Sequence, residues 1–134
     1  MKNLFAYGTL MCEEIMVEIS GCRLSHVFGT LKGFDRRSVM GESYPAIVPH
    51  KENSVEGVVY ENVPDWAFDR LDRFEGEMYE RQSVNIKLNL GGTLPAETYV
   101  IREAFINFLD HTDWDFDDFI VGGKASFQRQ YKRQ

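Results

Sequence analysis

Apolar and polar residues alternate over much of this chain, and the period lengthens only in a few short stretches. Val84, Ile86, Leu88 and Leu90 alternate with Ser83, Asn85, Lys87 and Asn89, the two-residue period of a strand with one buried face. Gly91-Gly92 then predicts a tight turn into a second strand over Glu97 to Ile101. His26 to Gly33 reads as a strand, and Tyr44 to Val48 and Val55 to Tyr60 as two more, with the polar tetrad Lys51-Glu52-Asn53-Ser54 between them as a hairpin connection. Near the N-terminus Phe5-Ala6-Tyr7 is a short apolar strand that breaks at Gly8. Helical spacing shows in three places. Ile15, Met16 and Ile19 share one face of a helix predicted over Glu13 to Ser20. Ala67, Leu71 and Phe74 form the apolar stripe of a second helix, which opens at Pro64 with Asp65 in its first turn and stops at Gly76. Asp113, Asp115, Asp117 and Asp118, interleaved with Trp114, Phe116, Phe119 and Ile120, predict an acidic helix opening whose aromatics pack on the sheet, interrupted at Gly122-Gly123.

Strands joined by tight turns must close or be covered, because a bare edge pairs with other chains. A small β-barrel meets that need. The expected architecture is therefore α+β, a small mixed-strand barrel flanked by short helices, with residues 112–134 as a C-terminal helical strap. No repeat, low-complexity run or linker divides the 134 residues, so a single domain is expected over 1–134. A hydrophobic fraction of 43%, including 10 Phe, 6 Tyr and 2 Trp, supplies its core.

Composition narrows the partners. With 15 Lys and Arg against 21 Asp and Glu, the net charge of −6 opposes a phosphate backbone, and nucleic acid is not an expected partner. Basic residues gather only at Arg36-Arg37 and at Lys124, Arg129, Lys132 and Arg133, the latter read as charges complementing a helix terminus. The overall acidity allows an acidic mouth suited to a cationic leaving group. No apolar run is long enough to span a membrane, and Met1-Lys2-Asn3 leads into strand residues without a secretory signal, so a cytoplasmic location is expected. Cys12 and Cys22 read as reduced thiols. His26, His50 and His111 have no metal-ligand spacing, and no phosphate loop, dinucleotide fingerprint or serine elbow is present; no metal and no cofactor are expected. The sequence carries no signal for oligomeric state.

Two segments carry candidate chemistry. A strand ending in Tyr7-Gly8-Thr9-Leu10 leaves successive backbone N–H groups without ladder partners, and positive φ at Gly8 would let them converge on an anion. An isolated segment of this kind more often marks an ordinary turn. Glu75 falls at the last turn of the second predicted helix, where the helix dipole disfavours its ionised form. That effect is worth only about 0.3 to 1 kcal/mol, so a shift that matters at neutral pH needs burial as well. For a Glu-Gly pair in general, a solvated carboxylate beside a helix cap is the usual outcome.

The blocks Tyr7-Gly8-Thr9-Leu10, Tyr44-Pro45-Ala46, Val55-Glu56-Gly57-Val58-Val59-Tyr60 and Leu71-Asp72-Arg73-Phe74-Glu75-Gly76, followed by Tyr79-Glu80-Arg81, occur in an order and spacing that resemble the gamma-glutamylcyclotransferase-like family, to which plant avirulence-induced-gene proteins are also similar. The likeness runs from about residue 4 to about residue 102 and finds no counterpart in Thr112 to Gln134. Met11-Cys12-Glu13-Glu14 departs from the Arg or Gly-rich residues of many relatives. The resemblance implies a fold built round a β-barrel, a loop over Tyr7, Gly8, Thr9 and Leu10 that holds substrate, and Glu75 as the acid–base group, with Tyr7 and Tyr79 lining the pocket. The implied reaction closes the glutamyl unit of a small gamma-glutamyl amine or amino acid into 5-oxoproline and releases the amine. The alternative is a non-catalytic binding module of the same fold. Release of glutamate by water is a third reading, and Cys12 as a nucleophile a weaker one, since no base is placed near it.

Overall fold

The computed structural model describes residues 1–132, with side chains through Arg129. Five strands, β1 (Lys2–Ala6), β2 (His26–Ser38), β3 (Pro45–Val63), β4 (Tyr79–Leu88) and β5 (Thr93–Ile101), close into a barrel in the order β1-β3-β2-β4-β5. Neighbours are antiparallel except at the closure, where β1 runs parallel to β5 with Leu4 opposite Glu97. A 3₁₀ turn (Thr9–Met11) and helix α1 (Glu13–Ser20) follow β1, and α2 (Asp65–Glu75) connects β3 to β4. After a second 3₁₀ turn (Glu103–Phe108), the chain ends in α3 (Phe116–Asp118), a π-helical turn (Phe119–Gly123) and α4 (Lys124–Lys132).

The strand period sorts apolar side chains into two cores. Phe5, Leu31, Ile47, Val59, Ile86 and Val100 form one cluster drawn from all five strands, which fills the barrel. Their alternate neighbours Leu4, Ala6, Ala46, Val58, Tyr60 and Ile101 point the other way and pack with Ile15 and Met16 of α1 and Phe68 and Leu71 of α2. Strands buried on both faces read as continuous apolar runs, which is why β1 and the second half of β3 lack a clean alternation in the sequence.

Several expected features differ. Lys51 to Ser54 is not a hairpin turn but part of β3, which pairs with β2 from Tyr60 opposite His26 to Pro45 opposite Ser38. Residues 50–53 bulge opposite Gly33 alone, whose φ is +88°. Residues 49–54 are exposed; a ribbon solvated on both faces carries the polar composition of a loop. The chain reverses instead at residues 39–44, closed by Val39 N–H donating to Tyr44 O at 3.1 Å. Leu90 continues the β4 alternation only in sequence: it sits in the Leu88–Gly92 turn and is 98% exposed. The Gly122-Gly123 pair does not interrupt the C-terminal helix, because the backbone absorbs it as a π turn, the one-turn bulge that a helix tolerates. Lys124 stands at the start of α4 and pairs with Glu14 of α1 at 2.7 Å rather than capping a helix terminus. The Lys132 side chain and Arg133 lie outside the described residues.

Two glycines let the barrel close. Gly29 and Gly57 face each other across β2 and β3. A Cβ on Gly57 would lie 2.4 Å from Ala6 O of β1, and one on Gly29 would lie 2.5 Å from Ile86 Cγ2 and 3.0 Å from Lys87 O of β4. A backbone carbonyl cannot rotate out of the way, so Gly57→Ala should force β1 from β3. Denaturant unfolding is expected to show Gly57→Ala destabilised by about 2 to 3 kcal/mol, with the exposed Lys51→Ala within about 0.5 kcal/mol of wild type.

Candidate active site

Tyr7, Gly8, Thr9 and Leu10 at the end of β1, Glu75 at the end of α2 and Tyr79 at the start of β4 all line one cavity of about 340 Å³. Each segment reaches it for a local reason. The N–H groups of Gly8, Thr9 and Leu10 precede the first bond of the 3₁₀ turn, which is Met11 N–H to Gly8 O at 2.9 Å, and donate to no acceptor among the described residues. Beyond that turn Cys12 caps the start of α1, so the loop feeds a helix N-terminus, whose partial positive charge favours anions. Gly8 serves differently from expectation. Its φ is −134°, not positive; what excludes a side chain is Pro45, whose Cγ and Cδ would lie 2.7 and 2.8 Å from a Cβ there. Arg36 steadies the loop by donating to Tyr7 O at 3.0 Å while pairing with Asp113 at 3.0 Å and lying over the Trp114 ring.

α2 stops because Gly76, at φ +75°, turns the chain out of the helix while its N–H closes on Asp72 O at 3.1 Å. Tyr79 N–H reaches back to Gly76 O at 3.4 Å, which brings Glu75 and Tyr79 to the same wall. Among the described residues the Glu75 carboxylate has no hydrogen bond or ion pair, and no fully buried side-chain oxygen is unsatisfied. Its oxygens therefore reach accessible space, and Glu75 is among the residues that line the cavity. Burial first, and the nearby Asp72 carboxylate second, push the Glu75 pKa up to about 8. Asp72 itself is fixed, accepting from Tyr99 Oη at 2.7 Å and forming an ion pair with Arg81, whose Nε lies 3.1 Å away.

The phenols are neutral donors already in use. Tyr7 Oη donates to Tyr99 O at 2.7 Å and Tyr79 Oη to Pro45 O at 2.9 Å, and burial holds both phenols well above their ordinary pKa. With the proton committed to a main-chain carbonyl, each oxygen presents lone pairs. Tyr44 and Tyr99 also line the cavity, their pKa values raised by burial.

Other lining residues have weak sequence signals. Tyr44 and Pro45 belong to a motif block, whereas Ile19, Met78, Tyr99 and Phe127 resemble any core apolar positions; only tertiary packing brings them here. Glu75 is the one carboxylate among the lining residues, and Glu42 outside the lining helps to raise the pKa of the Tyr44 and Tyr79 phenols. Cys12 is buried in the core between barrel and helices and lies outside the lining, as do His26, His50 and His111.

Comparison with known proteins finds relatives in both sequence and fold. The chain is 31% identical to AIG2-like protein C of Arabidopsis thaliana over 132 residues, 98% of this chain and 76% of that protein. It is 33% identical to AIG2-like protein D of the same plant, over 89% of this chain and 79% of that one. These alignments reach into the C-terminal stretch that the motif blocks left without a counterpart. A solution structure from Arabidopsis thaliana superimposes with a TM-score of 0.72 at 29% identity, covering 98% of this chain and 89% of that one. A structure titled gamma-glutamyl cyclotransferase shares the fold, with a TM-score of 0.68 at 17% identity over 98% of this chain and 86% of that one. Residues 4–116 match the family described as gamma-glutamyl cyclotransferase, AIG2-like, and the chain belongs to that family.

Proposed function

We propose that this protein is a gamma-glutamyl cyclotransferase that uses Glu75 as its acid–base group. The observation that carries the reading is an unbonded carboxyl of pKa about 8 opening into the same cavity as the undonated N–H groups of Gly8, Thr9 and Leu10. In a gamma-glutamyl amide the nucleophile and the carbonyl belong to one molecule, so holding the folded conformer removes much of the entropic barrier. Glu75 as carboxylate takes one proton from the bound α-ammonium, and the freed amine attacks the side-chain carbonyl carbon as the carbonyl electron pair moves onto oxygen; the second proton on the attacking nitrogen passes to the departing amine, which leaves as its ammonium. The same carboxyl then returns its proton to the departing nitrogen as its bond to carbon breaks, leaving 5-oxoproline and the released ammonium. The loop N–H groups receive the substrate carboxylate or the developing oxyanion, and the acceptor oxygens of Tyr7 and Tyr79 suit the substrate ammonium.

A pKa about 8 suits both halves of this cycle, since neither protonation state is rare near neutral pH. Approach of an ammonium favours the carboxylate, which readies the base when substrate arrives. A module that only bound acidic ligands would gain nothing from a carboxyl in that position.

Glu75→Gln keeps the shape and cannot exchange the proton. Its kcat for release of 5-oxoproline, followed by mass spectrometry, is expected to fall about 10²- to 10⁴-fold. Equal activity of the two forms would overturn the assignment, glutamate as the product would replace cyclisation by hydrolysis, and ligand binding without turnover in wild type would favour the binding module. Glu75 also makes stability depend on pH. Because the folded-state pKa is raised from 4.5 to about 8, the folded state holds a proton that the unfolded chain has released between those values. Stability from this group is full below pH 4.5 and is lost as pH rises through 8. Glu75→Gln should therefore unfold at higher denaturant than wild type at pH 9, by about 1 to 3 kcal/mol given the partial solvent access of the site, and converge with it near pH 4.5.

A further inference from the structure

Arg36 of β2 lies directly opposite Ile47 of β3, whose side chain belongs to the cluster that fills the barrel, and residues paired across strands share a face. Its side chain is only 17% exposed, so the guanidinium charge has to be matched within the protein. Each of its three nitrogens has a partner. Nε and Nη2 donate to the two carboxylate oxygens of Asp113 at 3.0 and 3.4 Å, and Nη1 donates to Tyr7 O at 3.0 Å. The guanidinium carbon lies 5.6 Å from the centroid of the Trp114 ring, and Asp113 Oδ1 also accepts from Trp114 N–H at 2.7 Å. Trp114 is pinned in turn by its Nε1–H, which donates to Ser43 O. With one edge on a carboxylate and one face on an indole, the planar fork has a single orientation, and that orientation sends Nη1 to a main-chain carbonyl.

The Tyr7 carbonyl belongs to the same peptide group as the Gly8 N–H. In a trans peptide the two point in opposite directions, so a guanidinium held on the oxygen side leaves the Gly8 N–H directed away from it. Gly8 is buried and lines the cavity, and its N–H donates to no acceptor among the described residues. Arg36 stands outside the lining, and among the described residues no Lys, Arg or His belongs to it. An anionic oxygen in the cavity therefore meets main-chain N–H groups, with the Arg36 charge one peptide group behind them. A hydrogen bond accepted at a carbonyl polarises the conjugated peptide and strengthens its N–H as a donor, by roughly 10 to 30% per bond, and a cationic donor is the stronger kind. The charge is felt on the cavity side: burial and then Glu75 raise the pKa of the Tyr7 phenol, and Arg36 opposes them.

Resting on the cyclotransferase reading above, we propose that Arg36 is a positioning residue of this site, clamped by Asp113 and Trp114 so that it aims and polarises the Tyr7-Gly8 peptide group, whose N–H receives the anionic oxygen of the substrate or of the transition state. Asp113 and Trp114 thereby act on the reaction without touching it.

The test compares wild type, Arg36→Met, Arg36→Lys and Asp113→Asn as full chains. Release of 5-oxoproline from gamma-glutamylalanine, gamma-glutamyl-ethylamide and gamma-glutamyl-ε-lysine gives kcat and KM, and proton–nitrogen amide spectra report on Gly8. Arg36→Met is expected to lower kcat/KM about 10- to 100-fold and Asp113→Asn severalfold. Arg36→Lys should fall between Met and wild type, because an ammonium keeps the charge and loses the fork. A loss in kcat assigns the donor to the oxyanion, and a loss in KM assigns it to the substrate carboxylate. The Gly8 amide signals should move upfield in the same rank order, while the pH midpoint set by Glu75, which answers to burial and Asp72, stays in place. Where Arg36→Met does not fold, Arg36→Lys and Asp113→Asn carry the comparison. Unchanged kcat/KM, or a loss of rate with the Gly8 signals unmoved, overturns the role given to Arg36. Absence of 5-oxoproline from all three compounds in wild type sinks the cyclotransferase reading instead. Titration with 5-oxoproline then decides the assignment: a Gly8 signal that shifts on binding, with affinity about tenfold lower in the Arg36 variants, upholds it, and equal affinity overturns it.

Discussion

Closure of the barrel by β1 is the constraint on which the rest of this molecule depends. This five-residue strand pairs with β3 through Lys2, Leu4, Phe5 and Ala6 and with β5 through Leu4, and only the absence of a side chain at Gly57 lets Ala6 O come close enough. The strand is short, so its end falls at the barrel rim, and the next residues turn over the mouth as a 3₁₀ turn. Undonated N–H groups at Gly8, Thr9 and Leu10 are a consequence of that ending: they belong to neither ladder nor helix. Pro45 at the start of β3 presses on Gly8 and fixes the height of the loop. The half of the cavity lined by these N–H groups is thus a by-product of how the sheet closes.

The acid half is set by a different balance. An ionised carboxylate at the end of α2 suffers from desolvation and from Asp72 one turn earlier. Asp72 stays in place because Tyr99 and Arg81 hold it, and Arg81 in turn lies over the Phe68 ring and within 3.6 Å of Glu97. The network keeps a negative charge beside Glu75 without bonding to it. Stability at alkaline pH is given up to keep this carboxyl buried beside Asp72, a pattern common where a titratable group is held near neutral pH. Neutral phenols around the cavity add hydrogen-bonding oxygen atoms without adding charge.

The C-terminal segment joins both halves. Trp114 Nε1 donates to Ser43 O at 2.9 Å, Phe119 and Phe127 are buried, and the Trp114, Phe119 and Phe127 rings form a chain with centroid spacings of 5.4 and 5.8 Å. A π turn between these aromatics shifts the register of α4, and Phe127 forms part of the cavity wall. Aromatic packing along residues 114–127 therefore bears on the shape of the pocket as well as on the fold.

Local features of this protein were legible in its residues because their causes are local. The stripe of Ala67, Leu71 and Phe74 with the stop at Gly76 gives α2, the turn at Gly91-Gly92 gives the β4–β5 hairpin, and the break after Tyr7 gives the loop. The order of the motif blocks also carried the barrel and the family, since spacing along the chain preserves which segments meet. The Lys51–Ser54 stretch misled because a solvated ribbon and a loop have the same composition, and Gly8 because positive φ and close approach to a neighbour both call for glycine. Whether Glu75 is buried, what surrounds it, and that Ile19, Met78, Tyr99 and Phe127 share its cavity were decided only by tertiary structure. Burial and proximity are properties of segments far apart in the chain, brought together when the barrel closes and the terminal helix docks.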